Sequence, residues 1–148
     1  MSQVPSEARG KQKLKVLTDA RSLCRYSLNI LQNNRHFKVR PTGDEEDDTR
    51  NPPQPELVAK IRETVLDAYI SAFSANETVF TKDNYRHRRQ LQDRSIAKLN
   101  ELLALIELSI PVFHTDLRRV EYWTGCVKSV RGQVQTWKES DYRRFKRM

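Results

Sequence analysis

The chain has 148 residues, enough for one domain with a sizeable core that needs neither disulfides nor metal. Hydrophobic residues make up 37%, charged residues 31%, and Gly occupies only 4 positions, which argues against a turn-rich sandwich or barrel and for helices. The net charge of +8 is unevenly spread, with residues 1–40 and 111–148 both basic around an acidic run at 44–48, so a polyanionic partner is expected.

In chain order, residues 1–10 contain Pro5 and Gly10 among polar side chains and read as a basic flexible tail. From about Lys11 to Asn34, Leu14, Leu17, Ala20, Cys24, Leu28 and Leu31 recur every three or four positions, the period of a helix. Residues 35–55 hold Pro41, Gly43, Pro52, Pro53 and Pro55 with the run Asp44 to Asp48, and read as a long, mobile acidic loop. That run lacks the spacing and the glycine of a calcium loop.

A second helix is expected from Pro55 to Phe80. Leu57, Ile61, Val65, Ala68, Ala72, Ala75 and Val79 mark one face, and Leu66, Tyr69, Phe73 and Phe80 a second. Thr81 to Asn84 reads as a break with capping residues. A third helix follows from about Asn84 to Ile110, with Pro111 as its stop. Its segment 102–108 is apolar except for Glu107, so one face is expected to meet another subunit unless the helix is unusually central. The fourth helix is expected over Thr115 to Ser140, with Leu117, Val120, Trp123, Val127, Val130, Val134 and Trp137 as its apolar stripe. Tyr122, Gly125, Ser129, Gly132 and Thr136 form a small-residue face. Residues 143–148 read as a basic tail or a frayed extension of that helix. Four helices joined by one long and two short connections predict an all-α, antiparallel up-down four-helix bundle spanning 11–142.

Catalytic signatures are absent from the sequence. His36, His87 and His114 stand in three separate segments, none with a second ligand at helical spacing, so no metal and no cofactor is expected. The dispersed glycines exclude a phosphate-binding loop, and there is no nucleophile elbow. Cys24 and Cys126 fall on apolar stripes as free thiols, and no segment has the form of a signal peptide or membrane span. The cytoplasm is the expected location.

Basic clusters carry the remaining signal. Arg86, Arg88 and Arg89 with Arg94 open the third helix, and Arg118 and Arg119 open the fourth. Cations at helix N-termini oppose the macrodipole, so helix stability does not explain them. Ion pairing with Glu63, Asp67 or Glu121 is the structural alternative. Arg9, Lys11, Lys13 and Lys15 form a third cluster, and Arg143, Arg144, Lys146 and Arg147 a fourth. Tyr85, Tyr122 and Tyr142 stand beside these clusters, where rings can stack on bases. In an up-down bundle the starts of the third and fourth helices lie at opposite ends, so two belts of positive charge are expected, with the terminal clusters adding to one or both.

Several residues also carry a resemblance: Tyr85-Arg86-His87-Arg88-Arg89, then Leu99 with Leu102-Leu103 and Ile106, then Arg119-Val120-Glu121-Tyr122-Trp123-Thr124, and Trp137 with Ser140-Asp141. From about Lys11 to Asp141 the chain resembles the bacterial and phage four-helix-bundle family that includes the accessory variability determinant (Avd) of diversity-generating retroelements. The same broad family includes proteins encoded in intervening sequences of 23S ribosomal RNA genes. The resemblance implies a ring-shaped homo-oligomer, a pentamer, without catalytic activity. It implies association with a reverse transcriptase and its template RNA or cDNA in support of mutagenic retrohoming. The acidic loop and the basic N-terminal tail depart from the family pattern. A structural or protein-interaction bundle of a phage or mobile element, its basic surface meeting an acidic protein, is the alternative; an enzyme whose site assembles only in space is a third reading, for which the sequence offers no paired carboxylates on an apolar background.

Overall fold

The computed structural model describes residues 6–32, 55–113 and 116–148. These form four helices: α1 (Ser6–Gln32), α2 (Pro55–Glu77), α3 (Tyr85–Val112) and α4 (Leu117–Lys146). The first five residues, the acidic loop short of Pro55, His36 and His114 lie outside the described residues, as do the side chains of Arg9, Lys11 and Lys13. No described helix is long and apolar enough to cross a membrane.

Each helix buries one stripe. On α4, Val120, Trp123, Val127, Val130, Val134 and Trp137 are buried as their spacing predicts, but Leu117 is exposed. On α2 the buried set is Leu57, Ile61, Thr64, Val65, Ala68, Ser71, Ala72 and Ala75, while Val79 is exposed beyond the helix end. On α1, Val16, Leu23, Ser27 and Ile30 join Ala20, Cys24 and Leu31 in the interior, and Leu17 and Leu28 move to its flank. Burying each Val, Leu or Ile contributes about 1.5–3 kcal/mol, so these stripes dominate the stability.

α1 packs against α2 and α4, and α3 packs against α2 and α4. The side-chain pairings show relative direction. Between α3 and α4 they run Arg88 to Asp141, Asp93 to Lys138 and Asn100 to Arg131, so position rises on one helix as it falls on the other. Between α2 and α3 they run Lys60 to Glu101 and Asp67 to Arg94. Between α1 and α4, Gln133 donates to Asp19 and the Trp123 indole donates to Ser27. Neighbouring helices in these three pairs are therefore antiparallel.

Several boundaries differ from expectation. α1 is already helical at Ser6, inside the segment read as a tail. Ser6 to Arg9 are compatible with a helix, and one interior glycine, Gly10, costs only about 1 kcal/mol. Asn84 occupies the N-cap of α3 without a side-chain cap; its amide instead reaches back to the Val79 carbonyl. Pro111 does not stop α3, which runs to Val112; the Phe113 amide still donates to the Ser109 carbonyl, and the Phe113 ring is fully buried. α4 begins where the Asp116 carboxylate accepts from the Arg118 amide, and it continues to Lys146 rather than ending at Ser140. Packing of Asp141 and Phe145 holds this last stretch in place.

Candidate nucleic-acid interface

α3 enters the bundle with a polar stripe. Tyr85, Arg88, Gln92 and Ser95 are buried before Leu99, Leu102 and Ile106 continue the same stripe as hydrocarbon. α4 arrives from the other direction and places Asp141, 1% exposed, one turn beyond Trp137. Arg88, 2% exposed, donates from Nε to Asp141 Oδ2 at 2.6 Å and from Nη2 to Oδ1 at 3.3 Å. Its Nη1 donates to the Thr78 carbonyl at 2.9 Å, satisfying a backbone acceptor just past the end of α2. Gln92 Nε2 donates to the same carboxylate at 2.9 Å. The guanidinium also lies over the Phe80 and Trp137 rings, at 5.5 and 5.1 Å from their centroids. One buried ion pair thus joins α3, α4 and the α2–α3 connection.

Arg88 was expected on the surface as a nucleic-acid contact, and the structure corrects this. Its charge is fully engaged inside the bundle, where no phosphate reaches it. The tyrosines divide as well. Tyr85 is buried, stacked on Phe145 at 4.0 Å with an interplanar angle of 7°. Tyr142 stands at the surface, with Arg89 and Lys146 over its ring.

Around this buried pair the remaining cations of two clusters converge. From the start of α3 come Arg86, exposed, and Arg89, which donates to the Tyr85 hydroxyl at 2.9 Å. From the end of α4 come Arg143, Arg144, Lys146 and Arg147; Arg144 lies over the Phe80 ring at 4.0 Å and 3.6 Å from Asp141. Arg143 is 3.5 Å from Glu139. Lys15 of α1 lines the same furrow as Arg143 and Arg144. The α4 cations also complement the negative end of that helix dipole, whereas Arg86 and Arg89 sit at the positive end of α3, where helix stability does not favour them.

Arg94 points elsewhere, 3.5 Å from Asp67 on α2, as the ion-pair alternative anticipated. Arg118 and Arg119 lie at the far end, exposed, in the company of Asp116 and Glu121. Tyr26 lies near Arg119, and its ring meets Tyr122 edge-on at 5.1 Å. The clusters are therefore unequal: two of them share one end, and the pair at the start of α4 stands apart beside carboxylates.

Among the described residues no three His, Cys, Asp or Glu side chains converge. No family model, no curated protein and no solved structure matches the chain. The sequence reading missed Asp141 and Gln92 as organisers of this end. The signal was present: Asp141 lies one step of the helical period beyond Trp137, and Arg88 lies three such steps before Leu99, which places opposite charges on facing stripes of two helices.

Proposed function

We propose that the protein is a non-catalytic nucleic-acid-binding accessory protein that contacts phosphate through the basic end of its helical bundle. The observation that carries this reading is the convergence of Arg86 and Arg89 from α3 with Arg143, Arg144, Lys146 and Arg147 from α4 around the buried Arg88–Asp141 pair. A buried, multiply bonded base holds these flexible cations at fixed mean spacing, so less freedom is lost when a strand binds. The resemblance to the Avd family supports a partner reverse transcriptase and its template RNA or cDNA. The antiparallel pairings support an up-down-up-down course. The exposed Leu66, Ile70 and Phe73 on α2 support assembly of copies into a ring, a pentamer in the family it resembles.

The test is fluorescence anisotropy with short single-stranded RNA across a salt series. Arg86→Ala combined with Arg143→Ala and Arg147→Ala is expected to weaken binding and to flatten the salt dependence by about 0.7 in slope for each phosphate contact removed. Arg118→Ala with Arg119→Ala is expected to do less. Salt-insensitive binding by the wild type, or an unchanged slope in the triple variant, would refute the reading.

A further inference from the structure

A furrow of about 1030 Å³ runs between α1 and the C-terminal half of α4. Gly132, Thr136 and Ser140 of α4 line it, with Lys15 on the α1 side. Gly132 and Thr136 each stand two positions from the buried Val134, so they face away from the core. A Cβ added at Gly132 meets nothing within 4 Å, so the furrow is open there.

Across the bundle lies a surface of the opposite shape. Leu66, Ile70 and Phe73 of α2 are exposed, and Ile70 is two positions from both Ala68 and Ala72, which are buried. This apolar stripe therefore projects straight away from the core. Large apolar side chains grouped on one exposed face mark a contact site.

Position relates the two surfaces. α2 and α4 occupy opposite corners of the bundle, since each packs against α1 and α3. Both run antiparallel to α3, so they run parallel to each other. Asp67 meets Arg94 and the adjacent Asp93 meets Lys138, which sets Asp67 level with Lys138. Lys60 meets Glu101 and the adjacent Asn100 meets Arg131, which sets Lys60 level with Arg131. Counting along the helices from either pair puts Leu66 at the height of Thr136 and Trp137, and Ile70 at that of Ser140 and Asp141. Stripe and furrow thus share one level, on opposite corners and on helices of one direction. A rotation about an axis parallel to the helices carries the stripe of one copy to the furrow of the next without any shift along that axis. A shift is what would open such a series into a filament.

Charge agrees with this meeting. Glu63, beside the stripe, and Lys15, on the rim of the furrow, are both exposed, and neither makes an ion pair among the described residues. Glu63 counts to the height of Val134, and Lys15 lies one turn from Asp19, which holds Gln133. The two unpaired charges are opposite in sign and stand at neighbouring heights.

We propose that the furrow between α1 and α4 receives the Leu66–Ile70–Phe73 stripe of a second copy of this chain, a head-to-tail contact in which each copy gives its α2 to one neighbour and takes the α2 of another. Small side chains at 132, 136 and 140 let a helix approach closely, and Leu, Ile and Phe supply ridges for the groove. Covering the stripe also removes its apolar surface from water. A contact of stripe on stripe would leave the furrow empty, and a nucleic-acid strand in the furrow would leave the stripe bare. The inference rests on the reading of the α2 stripe as a surface for self-association, and it supplies the face that the stripe meets.

The experiment uses the full chain and sedimentation at micromolar concentration, with circular dichroism to check helicity. Ile70→Glu spoils the stripe, and Thr136→Glu spoils the furrow from an exposed position. Each is expected to sediment as a monomer where the wild type is an oligomer, a weakening of assembly by at least about tenfold. Mixed in equal amounts, the two variants are expected to form a one-to-one dimer and nothing larger. One intact stripe then meets one intact furrow, and the remaining surfaces are blocked. A mixture that stays monomeric, or a Thr136→Glu protein that assembles as the wild type does, overturns the pairing while leaving self-association through α2 standing. Loss of RNA binding by Thr136→Glu with its oligomer intact gives the furrow to a nucleic acid and overturns the pairing too. A wild type that is monomeric throughout overturns both this inference and the reading beneath it. Should Thr136→Glu lose helicity, Ser140→Trp, which fills the furrow at the height of Ile70, takes its place.

Discussion

Arg88 and Asp141 stand 53 positions apart and meet in the interior at 2.6 Å, with both side chains almost wholly removed from water. The desolvation of two charges is offset here by two-point geometry, by the Gln92 and Thr78 hydrogen bonds, and by the flanking Phe80 and Trp137 rings. The pair's main effect is placement: it fixes where the end of α4 meets the start of α3, and so where the surface cations lie.

Breaking one half leaves an uncompensated buried charge. Arg88→Ala or Asp141→Ala is therefore expected to lower the unfolding free energy by ~3–5 kcal/mol, whereas Arg88→Met with Asp141→Leu together recovers much of the loss. Urea unfolding of the two single variants and the double variant checks this; a loss below about 1 kcal/mol in both singles would show the pair to be dispensable.

Gly125 and Gly132 lie inside α4, and a Cβ at either meets nothing within 4 Å. Each pays helix propensity without a packing return inside the chain. Gly125→Ala and Gly132→Ala are each expected to stabilise by ~1 kcal/mol, raising the melting temperature by about 2–4 °C. Thermal scans by circular dichroism read this directly, and a drop in melting temperature would mean that a neighbouring copy packs on that face too closely to admit a methyl group.

How far this fold can be read from the sequence depends on the kind of residue. The apolar stripe of α4 from Val120 to Trp137 and the α2 face from Leu57 to Ala75 stand where period alone puts them, because hydrocarbon has one favourable place. The helix ends are less legible. Pro111 is a strong local stop, yet the burial of Phe113 draws the helix past it, a tertiary gain that local propensity does not record. The basic clusters are legible as charge and not as position: Arg86 and Arg88 are two residues apart, and one is exposed while the other is buried, because 3.6 residues per turn puts them on different faces. Trp137 and Gln133 read as stripe and flank, and only the three-dimensional arrangement shows their unpartnered atoms.

The two thiols are expected to differ in reactivity. Burial raises the Cys24 pKa above the ordinary thiol value, so less thiolate is present at any pH below it, and access is closed as well. Cys126 is only partly buried. With an alkylating reagent at mildly alkaline pH, mass spectrometry should find Cys126 modified first. Cys24 should follow slowly, accelerate as pH rises, and reach the rate of a free thiol only in denaturant. Equal rates in the native protein would contradict the packing of α1 against the core.

Self-association is best probed on α2. The sequence pointed to the 102–108 segment of α3 and to the Gly125/Gly132 face of α4, but Leu102 and Ile106 are buried and Leu103 and Leu105 pack against the core, so Leu105→Glu would damage the fold itself. Leu66, Ile70 and Phe73 instead form an exposed apolar stripe at helical spacing, with Ile70 55% exposed. The wild type is expected to sediment as an oligomer at micromolar concentration. Ile70→Glu should shift it toward monomer, since a carboxylate buried in such an interface without a partner is costly, while helicity stays unchanged because the side chain supports nothing within its own subunit. A wild type that is monomeric throughout this range would remove the ring. An oligomer unaffected by Ile70→Glu would place the contact on another face, with Leu108 of α3, 54% exposed, the next position to charge.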